Sequence, residues 1–457
     1  TFPTTGEINV YFNKNVNSSV SSGVSANENA NFATIVIQKI NNAKRSIDAA
    51  LYSLSGTVGA NIATALVKEK TRGLKVRVIG EYDTRTTAPW TTLTSNGIPY
   101  INDSYGINDG SGLHHNKFFV IDYRGGAPDS VWVIMGSWNP TDPGTNDDRQ
   151  NLVLIQDVAL AGAYTVEFQE EWGSNTDTPN SQNSRFGSRK LNNTPHNFII
   201  GGVKVQSYFS PSDGTTSRIA KTLSKAEKSI NGSIMTFTRR DLADTVISVK
   251  NRNRKARLVL SNDTDSGTQF SYLQSNGVDI RLKGFSDGLL HHKYAIVDAE
   301  PFGYTPYVIT GSHNWSSSAE NSNDENTLII QDAQVANFYL QEFAARYYEA
   351  GGTDSINIVT SVNESEFVTS TEFSLLQNYP NPFNPVTTIR FEVPLSQKVE
   401  IVVFDILGRK VKELYNDIAP AGIIKIEFNA EDLASGMYVY QLKTKDFSVS
   451  RKMVLLK

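Results

Sequence analysis

The feature that most constrains the fold is an internal repeat. The segment His115-Asn116-Lys117 recurs 176 residues later as His291-His292-Lys293, and Gly136-Ser137-Trp138-Asn139 recurs 175 residues later as Gly311-Ser312-His313-Asn314. A nearly constant offset between two separate motifs indicates a tandem duplication. We therefore expect two similar halves that bring equivalent residues together around a pseudo-two-fold axis.

Within each half, apolar runs of strand length alternate with segments of helical periodicity. In the first half the predicted strands cover residues 47–54, 74–79, 117–122 and 131–135, and the predicted helices cover 62–72 and 159–172. The second half repeats this order and ends with a predicted helix over residues 333–347. The alternation predicts two tandem α/β-sandwich halves, each with a mostly parallel or mixed sheet.

The C-terminal part differs from both halves. Its predicted strands, separated by turn residues and by no helical segment, are residues 387–393, 399–404, 423–428, 437–442 and 448–455. This pattern is typical of a small all-β sandwich. The predicted organisation is a first half over 1–178, a polar linker over 179–198, a second half over 199–351, a linker over 352–371 and a β-sandwich over 372–457.

Histidine is scarce and cysteine is absent. Five of the six histidines lie inside the repeated motifs, and His196 alone lies elsewhere. The absence of cysteine excludes disulfides, thiolate metal sites and a cysteine nucleophile. The net charge of -4 argues against a nucleic-acid coat protein, but it leaves room for a local basic cleft.

The repeated motifs carry residue types suited to phosphate chemistry. Each half has His-x-Lys-x4-Asp, in which the first and third residues share one face of an extended strand. Two such faces would surround one phosphate with two imidazoles, two ammonium groups and two carboxamides. Lysine and asparagine stabilise the charge of a pentacoordinate transition state, while one imidazole attacks phosphorus and the other serves as general acid and base.

The two halves differ at one position that bears on the histidines. Eleven residues after each motif asparagine, the first half has Gln150 and the second has Glu325. A carboxylate that accepts from an imidazole N–H raises the basicity of the ring more than a carboxamide does. We therefore expect one activated and one less activated histidine.

The paired motifs resemble those of the phospholipase D superfamily, and the resemblance covers roughly residues 8–350. It implies a phosphohistidine mechanism that requires no metal and no cofactor. The catalytic residues that it implies are His115, Lys117, Asn139, His291, Lys293, Asn314 and Glu325. The supporting residues are Asp122, Ser137, Gln150, Asp298 and Ser312, of which the two aspartates are predicted to be structural.

The tyrosyl-DNA phosphodiesterase branch of that superfamily has a similar Gln-then-Glu asymmetry, in which the acid serves the histidine of the first half. By this analogy His115 is the nucleophile and His291 is the general acid and base. Since both half-sites lie in one chain, the duplication predicts a monomer.

The C-terminal part also resembles a known family, the type IX secretion sorting domains. The resemblance rests on residues 379–385, 403–409, 435–438 and 452–457 and covers about residues 372–457. It implies a Bacteroidota-like bacterium, the type IX secretion machinery as partner, and a secreted or cell-surface location. In that family the domain is usually cleaved.

Three functions remain open at the level of sequence. The first is hydrolysis of the headgroup phosphodiester of phospholipids at a membrane surface; the second is an extracellular, EDTA-resistant nuclease that holds a strand on the basic run at residues 250–255. The third is a surface binding module with an inactive site.

Two residue types near the motifs have alternative interpretations. A zinc site at the adjacent histidines is disfavoured by the lysine that follows them. Trp138 and Trp315 are predicted either to pack in the core or to stack on substrate.

Overall fold

The computed structural model describes residues 6–106, 112–126, 128–300, 304–358, 373–378, 380–394, 396–419, 422–445 and 447–456. The chain divides into two compact units, Thr1–Thr360 and Ser361–Lys457. Both repeats belong to the first unit. Most of the predicted linker at 352–371, and Tyr379 of the sorting-domain motif, lie outside the described residues.

The first repeat forms a mixed seven-stranded sheet with the order β1-β7-β6-β5-β2-β3-β4. Its strands are β1 (Glu7–Phe12), β2 (Ser46–Leu51), β3 (Lys75–Gly80), β4 (Tyr100–Asn102), β5 (Lys117–Ile121), β6 (Trp132–Gly136) and β7 (Asn151–Gln156). Its helices are α1 (Phe32–Asn41), α2 (Gly56–Thr71), α3 (Ala88–Ser95), α4 (Asp142–Asn146) and α5 (Val158–Trp172).

The second repeat forms an eight-stranded sheet with the order β12-β11-β10-β13-β14-β15-β9-β8. Its strands are β8 (Asn197–Ile200), β9 (Val203–Ser210), β10 (Ser229–Ile234), β11 (Lys255–Leu260), β12 (Asp279–Leu282), β13 (Lys293–Val297), β14 (Tyr307–Gly311) and β15 (Glu325–Gln331). Its helices are α6 (Thr215–Leu223), α7 (Arg240–Asn251), α8 (Phe270–Ser275), α9 (Ser317–Asn321) and α10 (Ala333–Glu349).

The two sheets have equivalent strand orders, which confirms the predicted pair of α/β halves. Read from β4 and from β12, both run through two parallel strands to a central antiparallel strand, β5 or β13. Lys117 pairs with Leu51 at the carboxyl end of β2, and Lys293 pairs with Ile234 at the carboxyl end of β10. Each motif lysine is therefore the first residue of its strand and lies at the sheet edge where the parallel strands end. Ligands of α/β folds bind at this edge.

Three apolar cores hold the first unit together. One lies beneath α1, α2 and α3, and a second lies beneath α6, α7 and α8. The third joins the inner faces of both sheets through α5 and α10 and includes Tyr164, Trp172 and Tyr339. Because this shared core spans both repeats, the position of one motif is fixed relative to the other.

The connection between the halves is more buried than a surface linker would be. Within the predicted linker 179–198, Phe186 and Lys190 are buried, and the Gly187 N–H donates to the Asp324 carboxylate over 2.7 Å. The ammonium of Lys190 pairs with the buried Glu167 carboxylate, which draws the polar connection into the junction of the halves. This part of the predicted polar linker is therefore not a solvent-exposed connection.

The described residues of the second unit are all-β, as predicted. The three-stranded sheet has the order β16-β17-β20 and the four-stranded sheet the order β19-β18-β21-β22. The strands are β16 (Ser374–Leu375), β17 (Val386–Val393), β18 (Gln397–Asp405), β19 (Lys410–Ala419), β20 (Gly422–Asn429), β21 (Gly436–Lys443) and β22 (Ser448–Leu455). Strand β19 was not predicted, because most of its side chains are polar and exposed.

Two predicted boundaries in the first half are also wrong. The strand predicted over residues 47–54 ends at Leu51, and Tyr52 leaves the sheet at the edge that carries the motifs. The helix predicted from Ile62 begins at Gly56, since the carboxylate of Asp142 accepts the N–H groups of Thr57 and Val58 in its first turn. A cap supplied from more than 80 residues away leaves no local signal.

Candidate active site

The two motifs are joined by backbone hydrogen bonds that cross between the halves. The Asp324 N–H donates to the Leu113 carbonyl over 2.9 Å, and the Arg149 N–H donates to the Leu289 carbonyl over 2.8 Å. These equivalent bonds place the start of β15 beside His115 and the start of β7 beside His291. Each half thus supplies the partner for the histidine of the other half.

His115 contacts the carboxylate of Glu325, the position at which the two halves differ in sequence. Its Nδ1 lies 2.8 Å from Oε2 of Glu325, and both side chains are buried. A carboxylate can only accept at this contact, so Nδ1 carries the proton and Nε2 has a free lone pair. Burial lowers the pKa of His115 to about 4 against the opposing effect of Glu325. Burial alone would raise the pKa of Glu325, but His115 and Lys117 hold it below the ordinary value.

His291 contacts neutral acceptors at the equivalent position. Its Nδ1 lies 2.8 Å from Oε1 of Gln150 and 3.0 Å from the Ser137 carbonyl. Burial, followed by Lys293 and Lys117, lowers its pKa well below the ordinary value. The two imidazoles therefore have the same tautomer but different electrostatic partners.

The motif lysines are buried beside the histidines. Lys117 Nζ donates to the His115 carbonyl and Lys293 Nζ to the His291 carbonyl, both over 2.8 Å. Burial lowers the pKa of Lys293 to about 7 and that of Lys117 well below its ordinary value, although Glu325 opposes both shifts. Two buried ammonium groups with one carboxylate between them form a site that favours an anion.

In the Gly-Ser-x-Asn segments the serines have structural hydrogen bonds, whereas the asparagine side chains have unpaired oxygens in the part of the chain that the structure describes. Ser137 Oγ accepts the Asn151 N–H and Ser312 Oγ accepts the Asn326 N–H, each over 3.1 Å, so the serines tie the motifs to β7 and β15. Among the described residues, the buried carboxamide oxygens of Asn139 and Asn314 have no hydrogen-bond partner. Since buried polar atoms are normally paired, these two oxygens are available to accept a hydrogen bond, whereas the NH2 group of each carboxamide is the part that could donate to a phosphate.

The motif aspartates lie at the other end of their strands. Asp122 and Asp298, both with left-handed backbone conformations (φ 59° and 55°), follow β5 and β13 and are roughly 20 Å along the strand from the histidines. Their carboxylates accept backbone N–H groups at residues 44–46 and 227–229. They join the start of β2 or β10 to the central strand and do not reach the site.

The tryptophans and the basic run also lie away from the site. Trp138 packs edge-on to Phe32, and Trp315, fully buried, packs edge-on to Phe237. Lys255 pairs with Ser229, at the end of β10 opposite to the end that faces Lys293. The run at 250–255 thus lies at the far end of the sheet from the site.

The remaining motif histidines have other neighbours. His292 contacts Asn151 and Glu342 at 3.2 and 3.0 Å, and Nε2 of His313 lies 3.5 Å from Glu320. His114 is fully buried, and among the described residues neither of its ring nitrogens has a hydrogen-bond partner within ordinary geometry.

Two further residues lie at the site that no sequence motif marks. The Tyr52 ring lies edge-on to His115, with 4.7 Å between ring centroids, and Lys117 Nζ lies 5.0 Å from the Tyr52 centroid. At the equivalent position of the second half, Met235 Sδ lies 3.3 Å from Lys293 Nζ. Both residues directly follow the strand that pairs with the motif lysine, and that pairing is the only signal that could have revealed them.

The two ends of the site also differ in charge. In the first half the Glu81 carboxylate accepts the N–H of the residue before the motif histidine (2.6 Å), whereas the Ser261 hydroxyl accepts the equivalent N–H in the second half (3.3 Å). Burial and then Asp103 raise the pKa of Glu81 to about 7. Burial is the largest cause that raises the pKa of Tyr52, and Glu81, Asp83 and Glu325 raise it further. The end of the site formed by the first half is therefore acidic. The position of Asp103, which follows β4, is taken by Lys283 after β12.

The comparisons with known proteins agree with this architecture. The family described as "Cardiolipin synthase, PLD-like domain" matches residues 36–172 and 219–347, and the family described as "Secretion system C-terminal sorting domain" matches 377–456. Mitochondrial cardiolipin hydrolase of Xenopus tropicalis is 35% identical over 139 residues, 30% of this chain and 63% of the frog protein. Phospholipase D of Rickettsia conorii is 32% identical over 145 residues, 31% of this chain and 69% of that protein.

Among solved structures, phosphatidylserine synthase of Haemophilus influenzae superposes with a TM-score of 0.50 at 16% identity, over 74% of this chain and 85% of that one. This likeness concerns the fold. The chain spans 63% of the length of the frog relative that it matches. No helix in the described part of the chain combines the length and the apolar character needed to cross a bilayer.

Proposed function

The chain belongs to the family of phospholipase D-like proteins, and from this membership we propose that it is a phosphodiesterase that hydrolyses the headgroup phosphodiester of phospholipids through a phosphohistidine. Its sorting domain marks it for export by the type IX secretion system, so the chain is a secreted or cell-surface bacterial protein. The observation that carries the proposal is the crosswise pairing of His115 with Glu325 and of His291 with Gln150.

The pairing supports a different role for each imidazole. Nε2 of His115 attacks phosphorus, and the Glu325 carboxylate stabilises the positive charge that the ring gains. As the P–N bond forms, the P–O bond to the headgroup breaks, and His291 donates a proton to the leaving alkoxide. His291 then takes a proton from water, which attacks phosphorus, breaks the P–N bond and releases phosphatidate.

The substrate itself supplies the charge that this cycle needs. Burial lowers the pKa of Lys293, and burial together with Lys293 and Lys117 lowers that of His291. A bound phosphodiester anion stabilises the charged forms of both groups, so the lysine gains full charge and His291 gains the proton that it donates. The NH2 groups of the Asn139 and Asn314 carboxamides would donate to the phosphoryl oxygens of the developing transition state.

The asymmetry of charge supports a lipid headgroup over a nucleic acid. Glu81, Asp83 and the Tyr52 ring give one end of the site the features that bind a quaternary or primary ammonium. The same carboxylates repel the continuous negative charge of a strand, and the basic run at 250–255 lies too far away to offset this. The names of the lipid-hydrolysing relatives point in the same direction.

The test is a paired assay in EDTA. The full chain is incubated with phosphatidylcholine vesicles and, separately, with single-stranded DNA, beside the variants His115→Ala and His196→Gln. His196 is the matched control, because it lies outside the site against Tyr208. We expect choline release that His115→Ala abolishes and His196→Gln retains. DNA cleavage without choline release would overturn the lipid substrate, and inactivity on both substrates would overturn the diesterase.

A further inference from the structure

A second cluster of chemistry-bearing residues lies one residue away from the catalytic pair. His114 precedes His115, Asp324 precedes Glu325, and Glu171 reaches the same point from the last turn of α5. One ligand atom from each of the three lies within 4.8 Å of the others, and all three side chains are buried. The proposed hydrolysis uses none of them.

The cluster holds more carboxylates than cations. Lys190 Nζ contacts Glu167 most closely and lies 3.3 Å from Asp324 and 3.8 Å from Glu171. All three acidic side chains are buried, so full ionisation of the three carboxylates beside one ammonium would leave two negative charges without a partner in the cluster. Isolated buried charges are so costly that they take up protons or a counter-ion.

The equivalent positions of the second half carry different residue types. The repeat offset places Leu290 at the position of His114, Arg149 at that of Asp324 and Arg346 at that of Glu171. Arg346 lies 3.3 Å from Glu342, which contacts His292 at 3.0 Å. The second half therefore compensates its buried carboxylate with its own side chains, whereas the first half has a histidine and two carboxylates at these positions.

The histidine supplies an observation independent of the acidic groups. His114 is fully buried, and among the described residues both ring nitrogens and Oε2 of Glu171 are left without a hydrogen bond, although Nδ1 lies 3.5 Å from that oxygen. In a neutral imidazole one of these two nitrogens has a free lone pair, which can ligate a metal ion. A neutral imidazole beside carboxylate oxygens is a donor set suited to zinc.

We propose that His114, Glu171 and Asp324 bind a divalent transition-metal ion, zinc by the chemistry of the donors, which joins the two halves behind the active site. When the ion binds, Lys190 keeps its pair with Glu167, and the two charges of the metal neutralise Glu171 and Asp324. The ion is structural: it lies behind the histidine pair and contacts neither the reacting phosphorus nor water in the cleft. Its buried position means that a chelator does not remove it from the native protein, so EDTA resistance of the diesterase is compatible with it.

The test measures metal content in the full chain and does not depend on activity. The protein is unfolded with denaturant and EDTA, refolded with or without Zn²⁺, desalted, and assayed by inductively coupled plasma mass spectrometry and by urea unfolding. We expect about one zinc per chain and a higher unfolding midpoint after refolding with zinc. Refolding with Co²⁺ should give the visible absorption of a coordinated ion.

Two variants and a control assign the ligands. His114→Leu copies the second half, and Asp324→Asn keeps an acceptor for the Gly187 N–H; both should lower the metal content to background. His196→Gln, a histidine outside the cluster, should retain the ion. If the variants fail to fold, the zinc content and cobalt spectrum of the unaltered chain decide. Metal at the background level in that chain, with the same midpoint with and without zinc, overturns the proposal, whereas zinc binding by a chain inactive on diesters overturns only the proposed function.

Discussion

Exchange of the two partners of the catalytic histidines should move the nucleophile from one half to the other. Glu325 and Gln150 occupy equivalent positions and contact His115 and His291 at the same distance, 2.8 Å. The double variant Glu325→Gln/Gln150→Glu therefore changes the location of one buried charge and retains both hydrogen bonds. If that charge selects the nucleophile, the phosphoryl group should appear on His291 in the double variant and on His115 in the unaltered chain.

The magnitude for the single variant follows from the contact that it weakens. A hydrogen bond to a charged group contributes about 1.5–3 kcal/mol and one between neutral groups about 0.5–1.5 kcal/mol, a difference of about 1–1.5 kcal/mol; about 1.36 kcal/mol corresponds to a tenfold change in rate. Glu325→Gln keeps an acceptor for Nδ1–H but removes the charge, so we expect phosphohistidine formation to slow by roughly 5–13-fold. The matched control is Glu227→Gln, the same change at an exposed glutamate, which should leave the rate unaltered.

The assay is a single turnover with excess enzyme, stopped with alkali because phosphohistidine is labile in acid. Proteolysis and tandem mass spectrometry then locate the phosphoryl group on the peptide of His115 or of His291. Phosphate on His291 in the unaltered chain would refute the assignment of the nucleophile. A Glu325→Gln rate equal to that of the control would refute the role of the carboxylate charge.

Five further outcomes are expected. His291→Asn should release about one equivalent of headgroup and then stop, because water lacks its base; continued turnover at the original rate would exclude that role. Diesterase activity should fall as the pH drops toward about 4, the value to which burial lowers the pKa of His115, because the attacking nitrogen gains a proton; a loss centred near pH 6.5 would contradict the shift. The pKa of His115 in the folded chain lies below the value of about 6.5 in the unfolded chain, so the unfolded chain binds more protons between these two pH values. The midpoint of urea unfolding should therefore decrease when the pH is lowered from 6.5 to 4 in the unaltered chain, and it should decrease less in His115→Gln. Glu81→Gln should reduce the preference for choline over glycerol headgroups about tenfold, as expected for one lost charge interaction, and an unchanged preference in competition assays would refute the acidic end as a headgroup site. Asp122→Asn should lower the free energy of unfolding by about 2 kcal/mol through weakened bonds to three backbone N–H groups, measured by urea titration, while kcat of the folded fraction stays the same.

Because each motif occurs twice, the sequence alone predicts which residue types the two half-sites contain. His115, Lys117 and Asn139 and their second-half equivalents are each marked by a motif, and the strand period alone places the histidine and lysine on one face. The two α/β halves follow from apolar periodicity. By contrast, β19 was missed because a strand whose side chains are mostly polar and exposed has no apolar alternation to reveal it.

What the sequence could not supply are contacts between positions far apart in the chain. Tyr52 lies against His115 because β2 ends beside β5, and His114, Glu171 and Asp324 meet only because the two halves share one core. The sequence by itself determined the residue types of the site and the existence of two half-sites. The family resemblance already indicated that the second-half acid serves His115, and the tertiary structure shows that contact. The tertiary structure alone decided which end of the site is acidic, because burial and charge depend on neighbours that only the packing of the two sheets brings together.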